Sequence, residues 1–294
     1  LPDVRSLQAV KRGEVFEQGV AALKGAGVEN PALDAAVLLG YVTGAPTGAV
    51  LLDRQLHMSS GQRDLYHGLI LKRCQRVPVS RLLGEREFFS RNFYITPDVL
   101  DPRPDTEILV EEAMKFLEEY TGRPYILDVG TGSGAIAVTL AAQMPGARIA
   151  ATDISFRALK VARSNALRHG VLDRIDLIQT DLFSGIRGEG KFSMIVSNPP
   201  YVSCSQHERL DKEVREGDPE VALVAGPEGT EFYPRLLGQA GKMLSPGGSL
   251  MVEVGQGQDK AVAGMFCDAG LTDVCIIKDL GGIGRVVTGR TENA

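Results

Sequence analysis

Asn198-Pro199-Pro200-Tyr201 follows an apolar run at 192–196 that reads as a buried strand, so the four residues fall at that strand's carboxyl end. Two prolines in a row cannot continue a ladder or a helix, and they hold the preceding backbone extended. The Asn198 side-chain oxygen and the Pro199 carbonyl are then left as acceptors. Together they suit binding both hydrogens of an NH2 group and aiming its nitrogen at an electrophile. Tyr201 adds an aromatic face for a flat substrate group. Taken singly, the same four residues also describe a proline-rich turn after a strand.

A second motif lies upstream. Asp128-Val129-Gly130-Thr131-Gly132-Ser133-Gly134 follows the strand-like 125–127 and precedes a helix-like stretch at 135–143. Glycines let a backbone turn tightly and approach a ligand with no Cβ in the way. Gly130, Gly132 and Ala135 satisfy a dinucleotide fingerprint, and Asp153 ends a further apolar strand at the spacing of a ribose-binding acid. A nicotinamide enzyme and an S-adenosylmethionine enzyme therefore share this local sequence. Asp181, after a third apolar strand, is placed to accept from an adenine amino group with Leu182 or Phe183 against the ring, or to act as a turn residue or cap. A nicotinamide enzyme has no use for Asn-Pro-Pro-Tyr on a later strand. A methyltransferase acting on an amide or an exocyclic amine does, and the two motifs together favour it.

With these segments, Gly84-Glu85-Arg86-Glu87-Phe88, Pro102-Arg103-Pro104-Asp105-Thr106-Glu107 and the closing Gly284-Arg285-Val286-Val287 complete a pattern. Over essentially its full length the chain resembles the protein-(glutamine-N5) methyltransferases of the peptide chain release factor-specific family. Asp101 and Leu182 depart from that pattern, which usually has an apolar residue before Pro-Arg-Pro and commonly an aromatic at the second position. The resemblance implies a Rossmann-like S-adenosylmethionine-dependent methyltransferase domain, with S-adenosyl-L-homocysteine as product. It implies methylation of a glutamine side-chain nitrogen in translation release factors. Asn198, Pro199 and Tyr201 are then the catalytic residues. Gly130, Thr131, Gly132, Ser133, Gly134, Asp153, Asp181, Leu182 and Asn198 are expected at the cofactor. Pro200, Phe88 and Arg103 join Asn198, Pro199 and Tyr201 at the substrate. Alternatives in the same chemistry are a ribosomal protein glutamine or a DNA or RNA base amine; a non-catalytic nucleotide-binding module is a third class.

The elements that must position these residues fall into two regions. Up to residue 83 the chain reads as short helices, with apolar residues at helical spacing over 15–23 and 33–39. Ser59 and Gln62 form a capping-box signal for a helix running to about Gln75, which Val77-Pro78 ends. Residues 84–101 read as a β-hairpin linker, and 102–294 as the methyltransferase domain. Strands expected at 125–129, 148–152, 174–180, 192–197, 249–254, 272–278 and 284–288 alternate with helices, which implies an α/β fold with a mostly parallel sheet covered on both faces. The connection between the last two strands is too short for a parallel crossover, so they are expected to pair antiparallel. The long polar segment 202–229 reads as a lid or protein-docking segment. His207 within it reads as a solvated loop histidine, and the run Lys72, Arg73, Arg76, Arg81 as a solvated helix face.

Composition limits the partners. The chain has 294 residues, 44% of them hydrophobic, and a formal net charge of −5, which disfavours gripping a nucleic-acid backbone. The four cysteines form no C-x-x-C pair and read as reduced thiols; no metal site is expected. No apolar stretch reaches the ~18 residues of a membrane span and no signal-peptide pattern opens the chain, so a cytoplasmic location without membrane contact is expected.

Overall fold

A computed structural model of the chain describes residues 10–187 and 189–293. It divides into two compact units, one ending at Gly84 and the other beginning at Glu85, so the hairpin expected as a linker is built into the second unit.

The first unit is helical: α1 (Arg12–Gly25), α2 (Pro31–Thr43), α3 (Thr47–Leu52), α4 (Ser60–Cys74) and α5 (Val79–Leu83). Val15, Phe16 and Leu23 of α1 meet Leu38 and Leu39 of α2 and Tyr66, Leu69 and Ile70 of α4 in one apolar cluster. The capping box forms as expected, with the Gln62 amide donating to Ser59 Oγ and Gln62 Oε1 accepting from the Ser59 amide. Two expectations fail here. Leu33 is exposed rather than part of the apolar face. Arg73 is buried, and its Nε donates to Asp34 at 2.7 Å, because a charge inside a small core needs a partner; the basic run is therefore not one solvated face.

The second unit opens with the hairpin β1 (Glu85–Phe88) and β2 (Arg91–Tyr94). Phe88 pairs with Arg91, and the two turn residues Phe89 and Ser90 both have positive φ, as a type I′ connection requires. There follow α6 (Thr106–Glu119), β3 (Tyr125–Val129), α7 (Ala135–Gln143), β4 (Arg148–Asp153), α8 (Phe156–Arg168), β5 (Ile175–Gln179), β6 (Phe192–Ser197), α9 (Phe232–Met243), β7 (Leu244–Glu253), α10 (Asp259–Asp268), β8 (Thr272–Lys278) and β9 (Gly284–Arg290). The seven sheet strands lie in the order β8-β9-β7-β6-β3-β4-β5, and β9 alone runs antiparallel to its neighbours.

Every residue of β6 is buried, which is why its sequence is an unbroken run rather than an alternation: both faces of a mostly parallel sheet are covered. Successive residues feed opposite layers. Ile126, Met194 and Met251 pack with α6 and α7, whereas Leu127, Ile195 and Leu250 pack with α9 and α10.

Segment 202–229 is not an open loop. It carries short helices at Cys204–His207, Lys212–Gly217 and Glu220–Leu223, and a parallel strand pair, Val202–Ser203 with Val224–Gly226. His207 is half-buried with Nε2 lacking a hydrogen-bond partner, so it is not a solvated loop residue. All four cysteines are free thiols, three of them exposed. Among the described residues no helix is long and apolar enough to cross a membrane.

Gly134 is a glycine of the loop that the packing itself requires. Its φ is +81°, and a Cβ there would stand 3.1 Å from the Ala162 Cβ and 3.2 Å from its Cα, so α7 and α8 approach through it. Gly134→Ala should lower stability by roughly 2–4 kcal/mol, from the left-handed backbone and the overpacking together. Adding Ala162→Gly should restore only the packing share, as chemical unfolding of the single and double variants will read.

Candidate active site

The carboxyl ends of β3, β4, β5 and β6 open onto a cavity of about 280 Å³, near the lower end of small-molecule sites. Gly130, Thr131, Gly132, Ser133, Asp153, Asp181, Leu182, Asn198, Pro200 and Arg103 all line it. Gly134, Pro199, Tyr201 and Phe88 do not stand on its wall.

The glycine loop is fastened by its own amides. Those of Gly130 and Thr131 donate to the Thr152 carbonyl at 2.9 and 2.8 Å, continuing the contact between β3 and β4 beyond the strand end. The Gly132 amide donates to Asp153 Oδ2 and the Ser155 amide to Asp153 Oδ1, both at 2.8 Å. Asp153 thus ties the loop to the start of α8, and each oxygen keeps a lone pair for a ligand hydroxyl. Burial pushes its pKa up while these backbone bonds hold it down. Beneath the loop Asp128 is fully buried, accepting from Thr131 Oγ1 at 2.6 Å and from the Ala137 amide at 3.2 Å through one oxygen. Burial raises its pKa to about 7 against those two bonds, and the Asp153 charge adds to the rise. Asn165, buried in α8, donates to the Ser133 carbonyl and exchanges bonds with the Tyr94 backbone, so one side chain fixes both the glycine loop and the hairpin.

At the other end of the cavity stands Asn198. Its Nδ2 donates to Thr106 Oγ1 at 2.8 Å, while its Oδ1 is buried and has no hydrogen-bond partner. Thr106 in turn donates to Glu253 Oε2 at 2.6 Å, and Glu253 Oε1 accepts from the Tyr201 hydroxyl at 3.2 Å. Glu253 is 1% exposed; burial raises its pKa to about 7, opposed by the bonds from Thr106 and Tyr201. Tyr201 therefore does not offer the cavity an aromatic face: its hydroxyl is committed to a buried carboxylate. Pro199 is a buried residue. Thr106 and Glu253 are not among the site residues that the sequence predicts. Thr106 lies inside the Pro-Arg-Pro-Asp-Thr-Glu motif, and Glu253 is an acid within an apolar strand, a signal of a buried partnered charge.

Elsewhere on the wall, both Asp181 oxygens take Arg235 Nη2, at 2.9 and 2.7 Å, in a half-exposed ion pair. Leu182 is buried with φ +52°, a strained conformation for a residue with a side chain, and it reaches the wall where Phe183 turns into the core. Arg103 bonds Asp218 at 2.5 Å, and Asp218 also accepts the Asp101 amide at 3.1 Å, drawing segment 202–229 against the start of α6. Phe88, expected at the substrate, is 1% exposed and packs edge-on to Phe93 at 6.0 Å between centroids. An aromatic strand residue facing the core has no surface left for a substrate. Among the described residues, no group of three or more His, Cys, Asp or Glu is placed to hold a metal ion.

The donor set fits an adenosine-bearing sulfonium: a glycine cradle, an acid with spare acceptors beside it, apolar walls from Leu182 and Val221, and an unbonded acceptor at the far end. Family models described as "Methyltransferase small domain" and "PrmC N-terminal domain" match residues 103–215 and 14–84. A release factor glutamine methyltransferase of Geobacter sulfurreducens is 40% identical, covering 90% of this chain and 91% of that one. One from Rhodospirillum rubrum is 41% identical, covering 97% and 87%. The fold is also that of a methyltransferase structure from Pyrococcus furiosus, with a TM-score of 0.50 and 18% identity over 77% of this chain and 98% of that one.

Asp128 predicts a pH dependence. A carboxyl whose folded pKa is raised stabilises the fold while protonated, below its ordinary value of 3.8, and that share is lost as pH rises through about 7. The melting temperature of the cofactor-free protein should therefore fall between pH 5 and pH 8. Asp128→Asn keeps an acceptor for Thr131 and Ala137 and should flatten that slope; parallel slopes for the two proteins would refute the assignment.

Proposed function

The chain belongs to the family of release factor glutamine methyltransferases, and we propose that Asn198 is the residue around which its transfer is organised. The reaction moves a methyl group from S-adenosylmethionine to the side-chain nitrogen of a release factor glutamine. When bound, the cofactor supplies a methyl carbon made electrophilic by its sulfonium. Gly130, Thr131, Gly132 and Ser133 with Asp153 receive it in this reading, and Asp181 and Leu182 border its base. The observation that carries the reading is the buried, unbonded Oδ1 of Asn198 on the cavity wall. An orphaned acceptor inside a protein is destabilising unless a ligand donor meets it.

An amide nitrogen is a weak nucleophile because its lone pair is delocalised into the carbonyl. Asn198 Oδ1 and the Pro199 carbonyl take its two N–H groups and hold it at attack distance, and orientation of this kind is worth about 7–11 kcal/mol. The same acceptors face the positive charge that grows on nitrogen as the N–C bond forms. The proton becomes acidic only then, so no strong base is needed. Pro200 and Arg103 border the acceptor side, and Tyr201 acts through Glu253 rather than by stacking.

The net charge of −5 supports a protein acceptor over a nucleic-acid backbone, and we place the enzyme in the cytoplasm with translation. The unit ending at Gly84 has no strand in the large sheet and exposes Tyr41, Leu52, Leu56 and Leu71, which supports a role in docking the folded partner. Stable protein partners bury about 1,200–2,000 Å², more than a cleft of this size offers.

Asn198→Ala should keep cofactor affinity within about tenfold while single-turnover transfer falls by about 2.7–4 kcal/mol of barrier. Calorimetric titration beside rapid-quench assays checks both, and wild-type turnover would sink the assignment. A shortened chain of residues 83–294 should bind cofactor yet methylate an intact release factor far more slowly than the full chain. Equal rates would remove the docking role.

A further inference from the structure

The two ends of a side-chain amide are nearly the same shape, so shape does not decide which end of Asn198 meets the substrate. Chemistry makes the choice matter: the acceptor glutamine presents N–H groups, and a reversed Asn198 would present its own. The neighbours of Asn198 settle the choice. Thr106 Oγ1 lies 2.8 Å from Asn198 Nδ2 and 2.6 Å from Glu253 Oε2. A hydroxyl has one proton to give. Once Thr106 gives it to Glu253, only lone pairs remain toward Asn198, which must answer with N–H. Thr106 and Glu253 are 4% and 1% exposed, and the two bonds cross from β7 through the first residue of α6 to the residue after β6.

We propose that Thr106 and Glu253 are positioning residues for methyl transfer: Glu253 accepts the Thr106 proton, Thr106 accepts an Asn198 N–H, and Oδ1 is thereby the end turned to the substrate amide. The proposal rests on the reading of Asn198 given above. It also gives Tyr201 a purpose, since its hydroxyl donates to the other Glu253 oxygen and helps keep that carboxylate an acceptor.

Protonation reverses the logic. A neutral Glu253 can donate to Thr106, whose own proton is then free to turn to Asn198, and the amide is satisfied in either orientation. The groups facing Glu253 are the hydroxyls of Thr106 and Tyr201, the Asp105 carboxylate, which favours the neutral form, and the Arg285 guanidinium, which favours the charged one. Tyr233 donates to the Glu253 backbone carbonyl at 3.3 Å. With burial holding the carboxyl near a pKa of about 7, the fixed orientation belongs to the upper side of that pH.

The test uses the full-length protein, saturating S-adenosylmethionine and an intact release factor in single-turnover assays from pH 6 to 9, with cofactor affinity titrated on the same samples. Thr106→Val should slow transfer about tenfold or more at pH 8 with cofactor affinity nearly unchanged, the pattern of a lost transition-state interaction. Thr106→Ser should restore most of the rate. The wild-type rate should climb through about pH 7, and Glu253→Gln should be slower at pH 8 and lack that climb. Equal losses in the Val and Ser variants, or wild-type transfer by Thr106→Val beside an inactive Asn198→Ala, would overturn the inference while leaving Asn198 in its role. Wild-type turnover by Asn198→Ala would instead remove the reading beneath it. Should Thr106→Val fail to fold, the pH profile of Glu253→Gln decides: a climb like that of the wild type refutes the relay.

Discussion

Parallel strands in step deliver their ends together, and that constraint governs this site. Asp128 of β3 sits opposite Val196 of β6, and Ser197 of β6 opposite Val252 of β7. The residues next along, at the carboxyl edge, are the glycine loop, Asn198 and Glu253. No side chain had to travel to build the cavity. It follows from adjacent parallel strands, β6, β3, β4 and β5, ending on one side, with an apolar layer on each face of the sheet.

The same burial makes the two carboxylates at that edge expensive to ionise, and the structure meets the cost with donors. Asp128 has Thr131 and Ala137, and Glu253 has Thr106 and Tyr201. Each set of donors belongs to a segment the site needs in place: the glycine loop in one case, the start of α6 and the segment after β6 in the other. Polar networks inside a low-dielectric core are strong where they are bonded. Glu253 is bonded at both oxygens, whereas Asp128 is bonded at Oδ2 and leaves its buried Oδ1 without a partner. These two acids therefore act as clamps, and neither lines the cavity.

The two ends of the cavity are built from different materials. The glycine end uses positive-φ turns whose backbone is held by the Thr152 carbonyl and by the side chains of Asp153 and Asn165. The Asn198 end uses side-chain acceptors whose direction depends on neighbours from other elements. In the reading proposed above, such an arrangement would let one end hold the cofactor and the other aim the acceptor group, whose orientation controls the rate.

Much of this was legible in the residues. Seven strands, the helix at 135–143, the antiparallel last pair and the Ser59 capping box all follow from periodicity, connection length and local cap chemistry, which act over a few residues. So did the convergence of Gly130, Asp153, Asp181 and Asn198 on one face, because strand ends in a parallel sheet must meet. What sequence could not decide was set by neighbours distant along the chain. Arg73 looked like part of a charged face until Asp34 drew it inside. Phe88 looked like a substrate contact until the hairpin folded it against Phe93. Tyr201 turned its hydroxyl to Glu253, 52 residues away, rather than its ring to the cavity. Segment 202–229 opens its first short helix on a local capping box, Ser203 with Gln206, but is tied to the start of α6 by Arg103 with Asp218, a contact that no local pattern announces. A residue's type and spacing state which bonds it can make. Only the packed structure states which partner arrives to make them.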